Sequence, residues 1–192
     1  MRDTKTAVLD VAQELLQTRG YNAFSFRDLA ERLGIKSASI HYYFPTKGDL
    51  CRALIARHRD QVGAAFIEID GRETDANRKL ERYAGIFRET LENGNRMCLC
   101  GMLAADFVTL DPAIAETLRQ SIRDHEVWLG RVLAEGKKRG VVRFDGNLED
   151  QARLILSTLE GAMLVARTFG DTNWFAACAR RLLVNLKAKP ES

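Results

Sequence analysis

Residues 24–50 read FSFRDLAERLGIKSASIHYYFPTKGDL, and the fold of the chain turns on this stretch. Ser25 with Asp28 three positions on is a capping box: the hydroxyl and the carboxylate can satisfy each other's free backbone N–H groups and so open a helix carrying Leu29, Ala30 and Leu33. Gly34 closes that helix, because a left-handed terminal residue costs glycine nothing. A further short helix over 36–43 has to stop before Pro45, since the residue preceding a proline is pushed out of the helical region. Thr46, with Asp49 three positions on, then opens another. Upstream, a helix over about 4–19 places Val8, Val11, Ala12, Leu15 and Leu16 on one stripe and ends at Gly20. Two short helices around a tight glycine turn, braced by a third, have the layout of a helix-turn-helix. Its core would be Val8, Ala12, Leu15, Phe24, Phe26, Leu29, Leu33, Ile35, Ile40, Phe44 and Leu50. Left over on the third helix are Lys36, Ser37, Ser39, His41 and Tyr42, all able to hydrogen-bond to base edges or phosphates.

Outward from this stretch the same periodicity continues. Prolines occur only at 45, 112 and 190, and apolar residues recur three and four apart. The spacing predicts a fourth helix reaching about 69, a fifth on Leu80, Tyr83, Ala84, Phe87 and Leu91, a sixth over 98–110 and a seventh over 112–139. An eighth is expected over 148–169 after an Asn147 cap, and a ninth over 173–187, with 141–144 as a brief extended link. The expected class is therefore all-α with about nine helices, a helix-turn-helix DNA-binding domain over 1–48 followed by a helical domain over 49–192, to which its apolar faces and a family resemblance give a ligand-binding and dimerisation role. A 46% hydrophobic content is enough for an ordinary core without metals or crosslinks. Residues 1–60 hold ten Lys and Arg against seven Asp and Glu, whereas residues 61–192 hold nineteen of each, so the net charge of +3 lies in the first third, where a phosphate-binding surface would sit. The polar first ten residues lack the apolar centre of a signal peptide, and the most apolar segment, 154–169, is broken by Glu160 and Arg167. A cytoplasmic protein without a membrane partner is expected.

Residues 24–50 resemble the TetR/AcrR regulators in a long gapped pattern: a Ser, an Arg-Asp pair, Ala, Gly with an aliphatic residue, then aromatics, Phe, Lys and Leu. The resemblance covers about residues 4–60; beyond it, only the number and length of the helices match. It implies that Ser25, Arg27, Tyr43 and Lys47 anchor phosphates and that Lys36, Ser37, Ser39 and Tyr42 face the groove. His41 is a departure, standing where relatives often have tyrosine. Lys47 also has a mechanical rationale, because at a helix N-terminus its ammonium and the free amides attract the same phosphate.

The predicted eighth and ninth helices are apolar on more than one face, and a single small domain covers only one of them. The second face suits another copy, as a two-fold four-helix bundle, the arrangement the resemblance also implies. A homodimer through these helices would present two reading helices to a palindromic operator in double-stranded DNA. Phe87, Leu91, Met97, Cys100, Met102, Phe107, His125, Trp128 and Met163 are the residues expected to meet a small-molecule effector. Repression relieved by that effector is the expected activity; the alternatives are a thiol-based sensor of electrophiles or oxidants acting through Cys98 and Cys100, and a helical small-molecule-binding protein without a DNA role.

The four cysteines, at 51, 98, 100 and 178, show no ladder of metal-ligand spacing. A set of Cys98, Cys100 and His125 lacks the usual pattern, so no metal and no cofactor are expected. On a helix, Cys98 and Cys100 would point nearly opposite ways. With three scattered histidines, no nucleophile paired to a base and no phosphate loop, no enzymatic activity is expected.

Overall fold

The computed structural model describes residues 3–188. Among them are nine α-helices: α1 (Thr4–Arg19), α2 (Phe26–Leu33), α3 (Ser37–Tyr43), α4 (Lys47–Arg72), α5 (Ala76–Glu92), α6 (Leu99–Ala105), α7 (Pro112–Lys138), α8 (Leu148–Phe169) and α9 (Thr172–Leu186). A single 3-10 turn, Phe107–Thr109, follows α6. No β-strand occurs among the described residues; the expected extended link near 141–144 forms one isolated antiparallel bridge, Val142 to Lys187. The all-α expectation therefore holds.

The helices start and stop for local reasons. Ser25 and Asp28 form the reciprocal capping box at α2, and Gly34 closes that helix in the left-handed conformation at φ 64°, its N–H returning to Ala30 and Glu31. Thr46 and Asp49 repeat the arrangement at α4: the Asp49 N–H donates to Thr46 Oγ1 at 3.0 Å and the Thr46 N–H to Asp49 Oδ2 at 2.9 Å. Asn147 caps α8 by accepting from the Asp150 N–H at 2.7 Å. Gly170 ends that helix, again left-handed.

Two expectations need correction. The fourth helix runs past residue 69, to Arg72. The sixth does not span 98–110, because Cys98 is an extended N-cap at ψ 134° and the helix gives way at Asp106. There the carboxylate accepts from the Tyr21 N–H at 2.7 Å, a partner 85 residues away, while the Asp106 carbonyl accepts from Thr109 Oγ1 at 2.7 Å.

The chain forms two compact units. The first takes in the chain up to Gln61 together with Cys98–Ser121, and the second Val62–Met97 with the chain from Ile122 onward. In the first, α1 packs on α2, α3 and α6. Val8, Ala12, Leu15, Leu16, Phe24, Leu29, Ile40, Phe44 and Leu50 are buried there, whereas Phe26, Leu33 and Ile35 are only partly covered. In the second unit α5 packs on both α8 and α9, which lie along one another. Ile155, Leu159 and Met163 of α8 and Phe175, Leu183 and Leu186 of α9 are buried in that layer.

Candidate nucleic-acid interface and interior clusters

The helix-turn-helix buries one face of α3 and leaves the other open. Ile40 points into the core with no exposed surface, and Phe44 beyond the helix end is also buried. Around Ile40, Lys36, His41 and Tyr42 are exposed while Ser37, Ser39 and Tyr43 are half-exposed. Tyr42 is 82% exposed, so most of its ring and hydroxyl is available to a partner outside the fold. Its ring meets Tyr43 edge to face at 5.1 Å. His41 is less free than a solvent-facing reader would be: its ring meets Phe26 at 4.7 Å, and Nδ1 lies 3.2 Å from the Pro45 carbonyl.

The residues expected to anchor phosphates occupy the rims of this face. Ser25 caps α2, its hydroxyl donating to Asp28 Oδ2 at 2.5 Å and its oxygen accepting from the Asp28 N–H at 3.4 Å, while the residue stays exposed. These bonds hold the Asp28 carboxyl below the usual carboxylate range. Arg27 is exposed and pairs only loosely with Glu31, one turn on, at 3.0 Å. Lys47 sits at the first position of α4, its ammonium 4.6 Å above the Tyr21 ring and 4.5 Å above the Phe24 ring while donating to the Phe24 carbonyl. Burial in this cage lowers its pKa, although nearby acidic groups pull the other way.

The residues expected to bind an effector fall in two groups. Phe87, Leu91, Met97, His125, Trp128 and Met163 belong to the second unit, all buried. Three of them converge on Tyr83 and Phe66, two residues not expected at the site from the sequence. Trp128 stacks on Phe66 at 4.6 Å and on Tyr83 at 5.5 Å, and Phe87 meets Tyr83 edge to face at 5.3 Å. His125 shares a hydrogen bond of 2.9 Å with the Tyr83 hydroxyl. Trp128 also donates to Asp70 Oδ2 at 3.2 Å.

Cys100, Met102 and Phe107 belong to the first unit. Cys100 is buried. Met102 is partly covered, and Phe107 is exposed under the Arg119 guanidinium at 5.1 Å. A groove of about 740 Å³ lies instead on the outer side of α8 and α9, lined among others by Thr158, Trp174, Cys178, Arg181 and Leu182.

The cysteine run also departs from expectation. Because Cys98 is an extended cap rather than a helical residue, the two thiols do not diverge. Cys98, Cys100 and His58 of α4 bring their donor atoms within 4.8 Å of one another. His125, the partner weighed in the sequence, is hydrogen-bonded to Tyr83 instead. Cys100 Sγ lies 3.3 Å from the Ser121 hydroxyl. The bond with Cys100 and full burial push the Cys98 thiol up to about 12, against the opposing pull of His58, so it is not a resting thiolate at neutral pH.

No helix among the described residues is long and apolar enough to cross a membrane. Comparison with known proteins accounts for both parts of the chain. Residues 8–54 match the bacterial regulatory proteins of the tetR family, and residues 76–182 match the tetracyclin repressor-like C-terminal domain. A TetR-family transcriptional regulator from Agrobacterium tumefaciens superposes with a TM-score of 0.92 at 31% identity, covering 96% of this chain and 97% of that one. A TetR regulator from Legionella pneumophila does so at 0.88 and 34% identity, covering 97% and 99%. The HTH-type transcriptional repressor KstR2 of Rhodococcus jostii is 24% identical over 80% of this chain and 75% of its own length. The chain belongs to the TetR family of DNA-binding transcriptional regulators, a family of regulators rather than enzymes.

Proposed function

We propose that this regulator is a cytoplasmic repressor that binds a palindromic operator as a homodimer and leaves it when a small molecule binds. The carrying observation is the open face of α3, where Lys36 and Tyr42 project beside the caps of α2 and α4 while Ile40 fixes the helix from behind. In this reading Lys36, Ser37, Ser39, His41 and Tyr42 meet the major groove, and Ser25, Arg27, Tyr43 and Lys47 meet phosphates on its flanks. DNA binding belongs to the segment 1–48, and effector binding and dimerisation to 49–192. The effector residues are Phe87, Leu91, Met97, His125, Trp128 and Met163, with Tyr83 added as the partner of His125. An aromatic interior with one hydrogen-bonding imidazole-phenol pair suits a flat, weakly polar molecule. For the effector to release DNA it has to favour one arrangement of the reading helices over another; affinity alone shifts nothing.

Selection of bound sequences from a random pool of DNA duplexes tests this. The enriched site is expected to be an inverted repeat with half-sites one helical turn apart, about 10 base pairs, or a multiple of that. Lys36→Ala and Tyr42→Ala should abolish enrichment without lowering the melting temperature, since neither side chain is part of the core. Enrichment of a site without two-fold symmetry, or none at all, contradicts the proposal.

A further inference from the structure

We infer that His58, Cys98 and Cys100 form a binding site for a soft, thiolate-seeking d10 cation, with Zn2+ the best match. Nothing in the sequence spacing points to this set, because His58 lies on α4, forty residues before Cys98. The fold assembles it. Cys98 has extended backbone as the N-cap of α6, Cys100 lies within the first turn of that helix, and the two thiols meet the imidazole with all three donor atoms within 4.8 Å. All three residues belong to the first unit.

Two further observations point to a ligand. Nε2 of His58 is buried and has no hydrogen bond of ordinary geometry, its company being the Cys98 thiol whose pKa the imidazole pulls down. The Ser121 hydroxyl at 3.3 Å from Cys100 Sγ supplies the outer hydrogen bond that orients a ligating sulfur.

The donor set selects the ion. Two sulfurs and an imidazole nitrogen exclude Mg2+ and Ca2+, which take oxygen, and favour Zn2+ or Cu+. Zn–S and Zn–N bonds of about 2.3 and 2.0–2.1 Å put neighbouring donors roughly 3.5–4 Å apart, so these atoms need to close by at most about 1.3 Å. On binding, the two S–H bonds break, both protons pass to solvent and the sulfurs take up the cation, with no change of oxidation state. Zn2+ with two thiolates and neutral imidazole has no net charge, whereas Cu+ would leave one buried negative charge. Occupancy would tie α4 to the start of α6. Any consequence for operator binding rests on the proposed function; the metal site itself does not.

The test is a titration of the reduced, metal-stripped full-length protein with Zn2+ against a chromogenic chelator, repeated with Co2+ as a spectroscopic stand-in and anaerobically with Cu+. One Zn2+ per chain is expected, together with a thiolate-to-cobalt charge-transfer band. Loss of an outer partner alone typically costs 10- to 100-fold in affinity, so His58→Gln, Cys98→Ser and Cys100→Ser should each weaken Zn2+ by roughly 100-fold or more. Cys178→Ser should leave it unchanged. Melting curves without metal establish that each variant is folded, and a variant that is not is replaced by the alanine form. Tight Cu+ binding that depends on the same three residues, with Zn2+ released, keeps the site and reassigns its ion. Failure of the wild type to hold any of these ions against the chelator overturns the inference, as does full Zn2+ affinity in the His58 variant. These readouts use no DNA, so their failure is separable from failure of the regulator reading.

Discussion

At the scale of single residues, Lys47 shows how a charge can be prepared for a partner. Its ammonium lies over two aromatic rings and is partly dehydrated, yet the residue stands at the first position of α4, where free amides also point outward. A lysine held this way gives up little side-chain freedom on meeting a phosphate, unlike one swinging in solvent. Replacing it with methionine keeps an unbranched apolar side chain beside Tyr21 and Phe24 and removes the charge, with its contacts to the two rings and the Phe24 carbonyl. Lys47→Met is expected to weaken binding to specific and random DNA alike. It should also reduce the slope of log affinity against log salt by about 0.9 for each phosphate the lysine would have neutralised. Fluorescence anisotropy at several salt concentrations measures this, and an unchanged slope would remove Lys47 from the phosphate anchors.

At the scale of helices, α4, α5 and α7 are fastened in the second unit by a charged network. Lys79, whose side chain is almost fully buried, lies 2.9 Å from Asp70 and 3.0 Å from Glu135, and Arg131 pairs with both acids. For Asp70, partial burial favours the protonated form, but hydrogen bonds from Arg131, Lys79 and Trp128 outweigh it and hold the carboxyl low. Glu135 is held low chiefly by its bond from Lys79. Burial works against the charge on Lys79, yet its two acidic partners raise its pKa. The depressed carboxyls stabilise the fold above their unfolded values near 4 and lose that contribution as pH falls through the folded ones. The raised lysine contributes fully below its unfolded value near 10.4 and loses this as pH rises past the folded one. The network's contribution to stability should therefore be flat between about pH 5 and 10 and fall on both sides. Lys79→Met should lower stability by about 1–3 kcal/mol at neutral pH and make the acid fall shallower. Urea midpoints across pH give both numbers, and parallel acid limbs in the two proteins would count against the network.

Helices also mark what the sequence could disclose. Ser25 with Asp28, Gly34 and Asn147 act on their immediate neighbours, so both ends of α2 and the start of α8 were legible from residues a few positions apart. The end of α6 at Asp106 was not, because the carboxylate there serves the Tyr21 backbone, whose position only the fold determines. The same holds for the candidate sites. Lys36 and Tyr42 follow from the period of one short helix, and their exposure agrees with it. Tyr83 beside His125, and His58 beside two cysteines, depend on distances between helices that no periodicity encodes.

At the scale of the whole molecule, one protomer leaves a large apolar surface uncovered. Leu154, Leu164, Val165 and Phe169 of α8 and Trp174 and Val184 of α9 are each more than 40% exposed, and Phe169 stacks on Trp174 at 5.1 Å along the same side. Large apolar side chains exposed on two adjacent helices are poorly placed in water, and a second copy meeting them about a two-fold axis would complete a four-helix bundle. Dimerisation then matters to recognition by arithmetic: two linked half-site contacts gain from effective concentration what one short reading helix lacks. Leu164, 56% exposed, is the residue to change, because a charge there costs the isolated protomer little. Leu164→Glu should sediment as a monomer at concentrations where the parent is a dimer, with a far-ultraviolet spectrum unchanged. Because a carboxylate buried in the bundle would be left unpaired, the penalty recurs in both copies and is doubled by the symmetry. Operator affinity should fall by at least 100-fold, while affinity for a single half-site stays the same. A dimer that persists in this variant would move the interface away from α8 and α9.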